Sequence, residues 1–372
     1  MRLVYLTTFI YPSTYANRLQ VLKMSEAFSC VSDFTIVVGG VTGDIKTIFY
    51  ENSIRREFPV MSLGVMYGRL RMARAVWALR DVVRESALDA VFYAREPLPA
   101  FFLSFLSGRF RNNFFFEAHS FSRYPVFIYR RIFSSARGVV ATSEKKANAF
   151  QHMFRVSKEK MLVRGNGFDA DFFRVMPSKK EARNVLHLPH DKRVVTMIGK
   201  PTIERDIATF LMAAEKMPEA LFLSVGGTSQ EIERMRSYKG FSCVRFIERV
   251  RPEEVAAYYA ASNVIVVLLS SKFPDIAAYA SPLKAREALA TGVPVIFSDV
   301  PALHDVADES FVTFMKPDDA DALTTSIRTI LGAYSVHQEK ANKAREIFLK
   351  QSWQNRAEDI VEFMENRKQT KQ

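Results

Sequence analysis

The sequence predicts an α/β protein made of two doubly wound parallel sheets. Three observations lead there. Short β-branched or aromatic runs alternate with helix-patterned stretches along the chain. The runs are apolar throughout, as strands covered on both faces are. The scheme is also played out twice, on either side of the polar segment Pro177-Ser178-Lys179-Lys180-Glu181, and 372 residues suit two domains.

In the first half the strand candidates are Leu3–Thr8, Phe34–Val38, Ala90–Ala94, Phe114–Glu117 and Gly138–Thr142, with helical patterns over Tyr15–Phe28, Arg69–Arg84 and Ser143–Phe154. In the second half the strands are Val194–Ile198, Leu221–Val225, Val244–Ile247, Val264–Leu268 and Val293–Phe297. Helices are expected over Arg205–Lys216, Pro252–Ala260 and Pro282–Ala290, and two more close the chain, over Val336–Lys350 and Ser352–Asn366. The polar segment at 177–181 reads as the linker.

Composition narrows the classes. Cys30 and Cys243 are too few and too far apart for a disulfide framework or a thiolate metal site, and suit a reducing compartment. The first apolar run is too short for a signal peptide, and no run reaches the ~18–20 residues that span a bilayer. A cytoplasmic protein is expected. Residues 1–175 hold 25 Lys and Arg against 14 Asp and Glu, while the remainder holds 27 against 26, so the net charge of +12 belongs almost wholly to the first half. Arg69, Arg71, Arg74 and Arg80 lie among Leu70, Met72, Val76, Trp77, Leu79 and Val82. Arg123, Arg130 and Arg131 lie among Tyr124, Phe127 and Tyr129. Such basic amphipathic stretches suit an anionic membrane surface, and equally an ordinary helix packed on a sheet with solvated arginines. Nothing in them matches an RNA or DNA motif, so no nucleic-acid partner is expected. No Gly-x-Gly-x-x-Gly follows the first strand, which argues against a dinucleotide-dependent dehydrogenase.

Two segments carry candidate chemistry. In the first, Ser281 is a good helix cap and Pro282 suits the first helical turn, with Gly292 as a left-handed terminator. Backbone N–H groups of Leu283 and Lys284 at that helix start would face an anion. Glu287 lies one turn from Lys284 on the same face, where a carboxylate can accept from two vicinal hydroxyls. The same residues also read as a capped amphipathic helix with a surface Lys–Glu pair. In the second, Gly199-Lys200-Pro201-Thr202-Ile203-Glu204-Arg205-Asp206 follows a strand and opens a helix. Lys200 and Arg205 there could hold a diphosphate, or line an exposed basic loop. Asp169-Ala170-Asp171 has the spacing of a metal-binding pair but reads as the cap of a short helix.

These segments together resemble the retaining glycosyltransferases of family 4, which have the GT-B fold. Ser281 to Val295 looks like that family's donor-site helix and following strand. Gly199-Lys200 with Arg205-Asp206 looks like its phosphate loop, Asn166-Gly167-Phe168-Asp169 with Phe172 like its Asn-Gly-Val-Asp segment, and Phe116-Glu117-Ala118-His119 like its strand ending in Glu-x-His. Trp353 also fits. The resemblance spans nearly the whole chain.

It implies two Rossmann-like domains facing across a cleft. Residues 1–176 would bind the acceptor, residues 177–351 the nucleotide-sugar donor, and helix 352–372 would return to the first domain. It implies that Glu287 holds the nucleotide's ribose. Lys200 and Arg205 would bind the diphosphate, with Gly199, Ser281, Pro282, Leu283 and Lys284 completing the donor site. His119 would face the sugar from the other domain, the other reading being a buried histidine that satisfies a core hydrogen bond. The loop Ser13, Thr14, Tyr15 and Asn17 would lie beside the acceptor. No cofactor and no metal are implied, because cationic side chains neutralise the diphosphate. The acceptor would be a lipid-linked or surface-polysaccharide glycan of a bacterial envelope, met at the inner face of the plasma membrane. The sequence departs from the family in places: Tyr279 stands where a sugar-contacting Glu is frequent, Lys200 where Arg is usual and Asp206 where Gly is usual, and the loop Ser13-Thr14-Tyr15-Ala16-Asn17-Arg18 lacks the Gly-Gly pair seen in many members. A nucleotide-sugar epimerase of the same architecture, or a non-catalytic scaffold, would share most of these features.

Overall fold

The computed structural model describes residues 1–13, 15–64, 71–85, 89–106, 112–119, 124–280 and 282–369. Thr14 and Ser281, both singled out above, lie outside them, as do Arg69, Leu70 and Arg123. The chain divides into two compact units, Met1–Gly167 with Trp353–Gln372, and Phe168–Ser352.

Unit 1 is built on the strands β1 (Arg2–Leu6), β2 (Ile10–Tyr11), β3 (Asp33–Val38), β4 (Gly40–Val41), β5 (Val60–Ser62), β6 (Val91–Ala94), β7 (Phe114–Ala118), β8 (Gly138–Ala141) and β9 (Met161–Val163). Seven of them form one parallel sheet in the order β5-β3-β1-β6-β7-β8-β9, and β2 pairs with β4 apart from it. Its helices are α1 (Ala16–Val31), α2 (Ile45–Glu51), α3 (Arg71–Glu85), α4 (Pro97–Leu103), α5 (Val126–Ser135) and α6 (Glu144–Phe154), together with the chain's last helix, Trp353–Gln369. Register is set by apolar residues that are buried on both faces of the sheet. Leu3 lies opposite Phe34 on one side and Val91 on the other, and Tyr5, Phe92, Phe114, Phe115 and Phe116 are fully buried.

Unit 2 repeats the plan with β10 (Arg193–Ile198), β11 (Ala220–Val225), β12 (Val244–Ile247), β13 (Val264–Val267), β14 (Val295–Ser298) and β15 (Thr313–Met315), ordered β12-β11-β10-β13-β14-β15 and parallel throughout. Its helices are α7 (Asp171–Arg174), α8 (Lys179–Val185), α9 (Ile207–Glu215), α10 (Ser229–Glu233), α11 (Val255–Ala261), α12 (Pro274–Tyr279), α13 (Leu283–Leu289), α14 (Pro301–His304), α15 (Ala320–Gly332) and α16 (Tyr334–Phe348), which makes the last helix α17. The two doubly wound parallel sheets are those the sequence predicts.

The division falls at Gly167–Phe168, ahead of the polar segment at 177–181. Phe168, Ala170 and Phe173 sit in the core of unit 2, so the chain has already joined it. The polar segment is a helix start: the Ser178 hydroxyl accepts from the Glu181 N–H at 3.3 Å, and the Glu181 carboxylate accepts from the Ser178 N–H at 2.8 Å. These are the two reciprocal bonds of a capping box. The strands absent from the sequence reading are β2 and β4, apart from the main sheet, and the sheet-edge strands β5, β9 and β15. All five are only two or three residues long, too short for the apolar run that betrays a longer strand.

One buried charge pair joins the last helix to unit 1. Glu117, at the end of β7, is 2% exposed at its side chain, and Arg356 of α17 is 3% exposed. The Arg356 guanidinium meets the Glu117 carboxylate at 3.1 Å and donates through Nε to the Gly165 carbonyl at 2.9 Å. Burial alone would raise the Glu117 pKa. Arg356 and then His119 outweigh it and hold the group well below the usual carboxylate range. The pair's stabilisation is therefore present above the unfolded pKa of about 4.3 and fades as pH falls through the lower folded value. Arg356→Met leaves a buried carboxylate uncompensated and is expected to cost about 3–5 kcal/mol in urea denaturation at neutral pH. That loss should shrink toward acidic pH as Glu117 takes a proton. A loss of under about 1 kcal/mol, the scale of an exposed ion pair, would show that the pair does not secure α17.

Candidate functional site

In open α/β sheets, ligands bind beyond the C-terminal ends of the strands, where the strand order reverses. In unit 2 that point lies between β10 and β13. Gly199 follows β10 with φ +131°, and its N–H donates to the Val225 carbonyl at 2.8 Å. A methyl group on Gly199 would overlap Nη1 of Arg205, so that guanidinium lies directly over the glycine. Gly226 and Gly227 follow β11. A Cβ on Gly226 would stand 2.8 Å from the Gly199 backbone, and one on Gly227 2.7 Å from the Pro201 ring. Three glycines thus let two loops and a guanidinium close over the sheet edge.

Arg205 is half-buried, and burial pushes its pKa down, with Tyr259, Glu287 and Glu204 acting in the opposite sense. Among the described residues its side chain makes no hydrogen bond and no ion pair. A partly buried cation that makes no direct pair gains from an anion that joins it. Glu287 lies nearby on α13. Its Oε2 accepts from Lys284 Nζ at 2.6 Å and from the Tyr259 hydroxyl at 3.4 Å, and its side chain is 13% exposed. Tyr259, fully buried on α11, was not foreseen in the sequence; its phenol pKa is raised by burial and then by Glu287.

The loop from Gly199 to Asp206 is fixed from two sides. The Glu204 carbonyl accepts from the Ser270 N–H at 3.0 Å. Asp206 adopts the left-handed conformation, φ 49°, and caps α9 by accepting from the Thr209 N–H at 3.4 Å. Its other oxygen accepts from the Asp318 N–H at 2.9 Å. Asp318 is left-handed too and is held by Ser270 and Ser271. The left-handed backbone explains why glycine is usual at position 206 in the family the sequence resembles; here the aspartate's two hydrogen bonds compensate for the conformation.

Two expectations change. Lys200 does not stand beside Arg205 as an open pair of cations, because its ammonium is ion-paired with Glu231, the third residue of the α10 capping box. Helix α13 begins at Leu283, not Pro282. Pro282 occupies the cap position with ψ 114°, and the helix ends at Leu289, three residues short of the left-handed Gly292. Leu283 and Lys284 remain in the first turn. Tyr279 closes α12 and is 42% exposed. Asp171 opens a short helix and pairs with Arg174 at 3.1 Å, while Ala170 takes the cap. Among the described residues no group of three or more His, Cys, Asp or Glu side chains could hold a metal ion.

In unit 1, the strand order reverses between β1 and β6. Thr7 and Thr8 follow β1, Arg95 and Glu96 follow β6, and His119 follows β7. His119 has both ring nitrogens engaged within the unit, Nε2 with Glu117 and Nδ1 with Arg95 at 3.2 Å. The arginine can only donate, so Nδ1 accepts and Nε2 carries the proton. Burial, followed by Arg95, lowers the His119 pKa to about 3, so the ring is neutral at physiological pH. Of the acceptor-side loop, Tyr15 caps α1 and is 66% exposed, its N–H donating to Ser13 Oγ at 3.3 Å, and Asn17 is exposed.

Residues 192–333 match the family model described as Glycosyl transferases group 1. The chain is 22% identical over 251 residues to D-inositol 3-phosphate glycosyltransferase of Corynebacterium urealyticum; the match covers 63% of this chain and 58% of that protein, under two thirds of its length. Among solved structures it is similar to HepE of Anabaena in complex with UDP, with a TM-score of 0.76 and 17% identity over 98% of this chain and all of that one. It is also similar to sucrose-phosphate synthase of Thermosynechococcus elongatus, with a TM-score of 0.74 and 20% identity over 98% of each chain. The fold is GT-B.

The seat of Arg205 over Gly199 is open to a double-mutant cycle. Gly199→Ala combines an overlap with a strained positive φ and is expected to destabilise by about 1–3 kcal/mol. In an Arg205→Ala background part of that cost should vanish, giving a coupling above about 0.5 kcal/mol by urea denaturation. Strict additivity would place the guanidinium elsewhere.

Proposed function

We propose that this GT-B protein is a glycosyltransferase that moves a sugar from a nucleotide-diphosphate sugar to an acceptor hydroxyl with retention of configuration, as the family-4 enzymes it resembles do. The observation that carries the reading is Arg205, half-buried over Gly199 and without a hydrogen bond or ion pair among the described residues, beside Glu287 at the reversal point of the unit 2 sheet. A cation and a carboxylate side by side suit a diphosphate joined to a ribose. HepE, whose fold this chain shares, is seen in complex with UDP and with UDP-glucose, which supports such a ligand.

In this reading Arg205 binds the diphosphate through its fork, and the N–H groups of Leu283 and Lys284 add to it. Lys200, more than half exposed, exchanges Glu231 for a phosphate oxygen. Glu287, with Oε2 held by Lys284 and Tyr259, accepts the ribose hydroxyls. When the bond from the anomeric carbon to the phosphate oxygen breaks, its electrons pass to the diphosphate, which these groups stabilise. The acceptor oxygen bonds to the anomeric carbon on the face the phosphate leaves, and its proton goes to a departing phosphate oxygen. No metal is required, because fixed cations do its electrostatic work. His119, neutral and with its Nε2 proton directed at Glu117, serves as a hydrogen-bonding group and not as a cation.

Unit 1 would bind the acceptor, a lipid-linked or polysaccharide glycan, at the inner face of the plasma membrane. Three packed helices, α3, α4 and α5, support the membrane part. Around them Trp77, Phe105 and Phe127 are exposed, with Arg80 over the Trp77 ring at 5.3 Å and Arg131 over Phe105 at 4.8 Å. Aromatic and guanidinium groups together suit an anionic headgroup layer. No helix among the described residues is long and apolar enough to cross a membrane.

Two measurements test the reading. A thermal-shift panel of UDP, GDP, ADP, CMP and their sugars should contain one nucleotide that raises Tm, since a ligand selective for the native state stabilises it. Arg205→Ala and Glu287→Ala should each abolish that shift and lower transfer by roughly 100-fold or more, with the fold intact by circular dichroism. Near-normal transfer in both variants sinks the assignment. Separately, the protein should co-sediment with vesicles of anionic lipid at low salt and detach as salt rises; failure to sediment removes the membrane contact.

A further inference from the structure

We propose that the C-terminal edge of the unit 1 sheet holds an oxyanion of the acceptor, a phosphate or carboxylate group, on the guanidinium of Arg95. Calling the bound molecule an acceptor rests on the glycosyltransferase reading; the anion site itself stands on unit 1 alone.

The position is the reversal point between β1 and β6, where a doubly wound sheet opens a crevice. Two carboxylates lie there and both are already satisfied. Glu96 accepts only from neutral donors: the Thr7 hydroxyl at 2.5 Å, the Thr8 N–H at 2.6 Å and the Thr8 hydroxyl at 2.7 Å. Glu117 is matched by Arg356 and also accepts from Tyr93 and His119. Arg95 is half-buried and, among the described residues, forms no ion pair, although it acts on the Arg356-paired Glu117. Its partners are neutral: the Asn17 carbonyl at 3.3 Å, Gln20 Oε1 at 2.7 Å and His119 Nδ1 at 3.2 Å. These occupy three of its N–H donors, so part of the fork stays open.

The surroundings reinforce the positive sign. Arg18 lies over the rings of Phe9 and Tyr15 and donates to the Ile10 carbonyl, again with no carboxylate partner. Tyr11 sits within electrostatic reach of Glu96, Arg95 and Arg18 together. His119 is flanked by Lys146 as well as Arg95, and its ring is neutral. Arg18, Arg95 and Lys146 thus all act on the groups at this sheet edge, whose carboxylates are Glu96 and the Arg356-paired Glu117. Part-burying a cation beside other cations is unfavourable, and a carboxylate or phosphate that fits the planar fork removes that cost. The loop of Ser13, Tyr15 and Asn17, next to Arg95 through the Asn17 carbonyl, would then touch the rest of the same molecule.

The test uses the full chain with glycerol 3-phosphate and glucuronate as probes, against glycerol and glucose as uncharged controls. Saturating UDP, or an Arg205→Ala background, removes anion binding in unit 2. Each Tm is read relative to the same variant without ligand. The expected result is stabilisation by one or both anions and by neither control, with affinity at least about tenfold weaker in Arg95→Gln, partly restored in Arg95→Lys and reduced less in Arg18→Gln. The probe that stabilises tells phosphate from carboxylate. The proposal is overturned if neither anion stabilises the wild type at millimolar concentration, if the effect survives Arg95→Gln, or if it depends on Arg205 instead. An Arg95-dependent shift in a protein that no nucleotide stabilises upholds the anion site and removes the donor reading, so the two failures are distinct.

Discussion

The burial of Glu117 is the constraint on which unit 1 is organised. A carboxylate at the end of a central strand, among Tyr5, Tyr93 and His119, cannot remain charged without a matching cation. The cation comes from Arg356, 239 residues further along the chain. This pairing requires the polypeptide to return to unit 1 after completing unit 2, and it explains why α17 packs against α1. The same carboxylate accepts from His119 Nε2, which fixes the ring's tautomer and turns Nδ1 toward Arg95. One buried charge thus links chain topology, the attachment of the last helix and the state of a candidate site residue.

Unit 2 depends on backbone more than on charge pairing. Its loops approach closely because Gly199, Gly226 and Gly227 have no side chains to separate them, and all three have positive φ. Asp206 and Asp318 then take left-handed conformations of their own and stabilise them through each other and through Ser270 and Ser271. What this framework holds in place is Arg205, half-buried and without a hydrogen bond or ion pair among the described residues.

Much of this was legible in the sequence, and the limits have physical causes. The strands of four or more residues were readable as apolar runs, the edge strand β12 among them; β5, β9 and β15 were not, because each is only three residues long. Gly199, Arg205 and Glu287 could be singled out because residue type and position relative to a strand or helix end constrain their chemistry. The pairing of Lys200 with Glu231 could not, since it depends on where α10 begins. Tyr259 looked like one aromatic among many, and only its reach to Glu287 distinguishes it. The polar stretch at 178–181 reads as a linker by composition; capping chemistry, which favours the same residues, decided otherwise. Arg356 gave no signal because its partner is distant in sequence.

The two sheet edges share a logic that neither shows alone. At each reversal point one arginine forms no ion pair among the described residues: Arg205 in unit 2, though Glu287 and Glu204 act on it, and Arg95 in unit 1. If these arginines served only stability, pairing them with an adjacent acid would be the better solution, and Glu96 stands next to Arg95 in sequence. Its carboxylate is instead taken up by Thr7 and Thr8, which leaves the guanidinium with neutral partners. A cation kept from its nearest acid suits an anionic ligand.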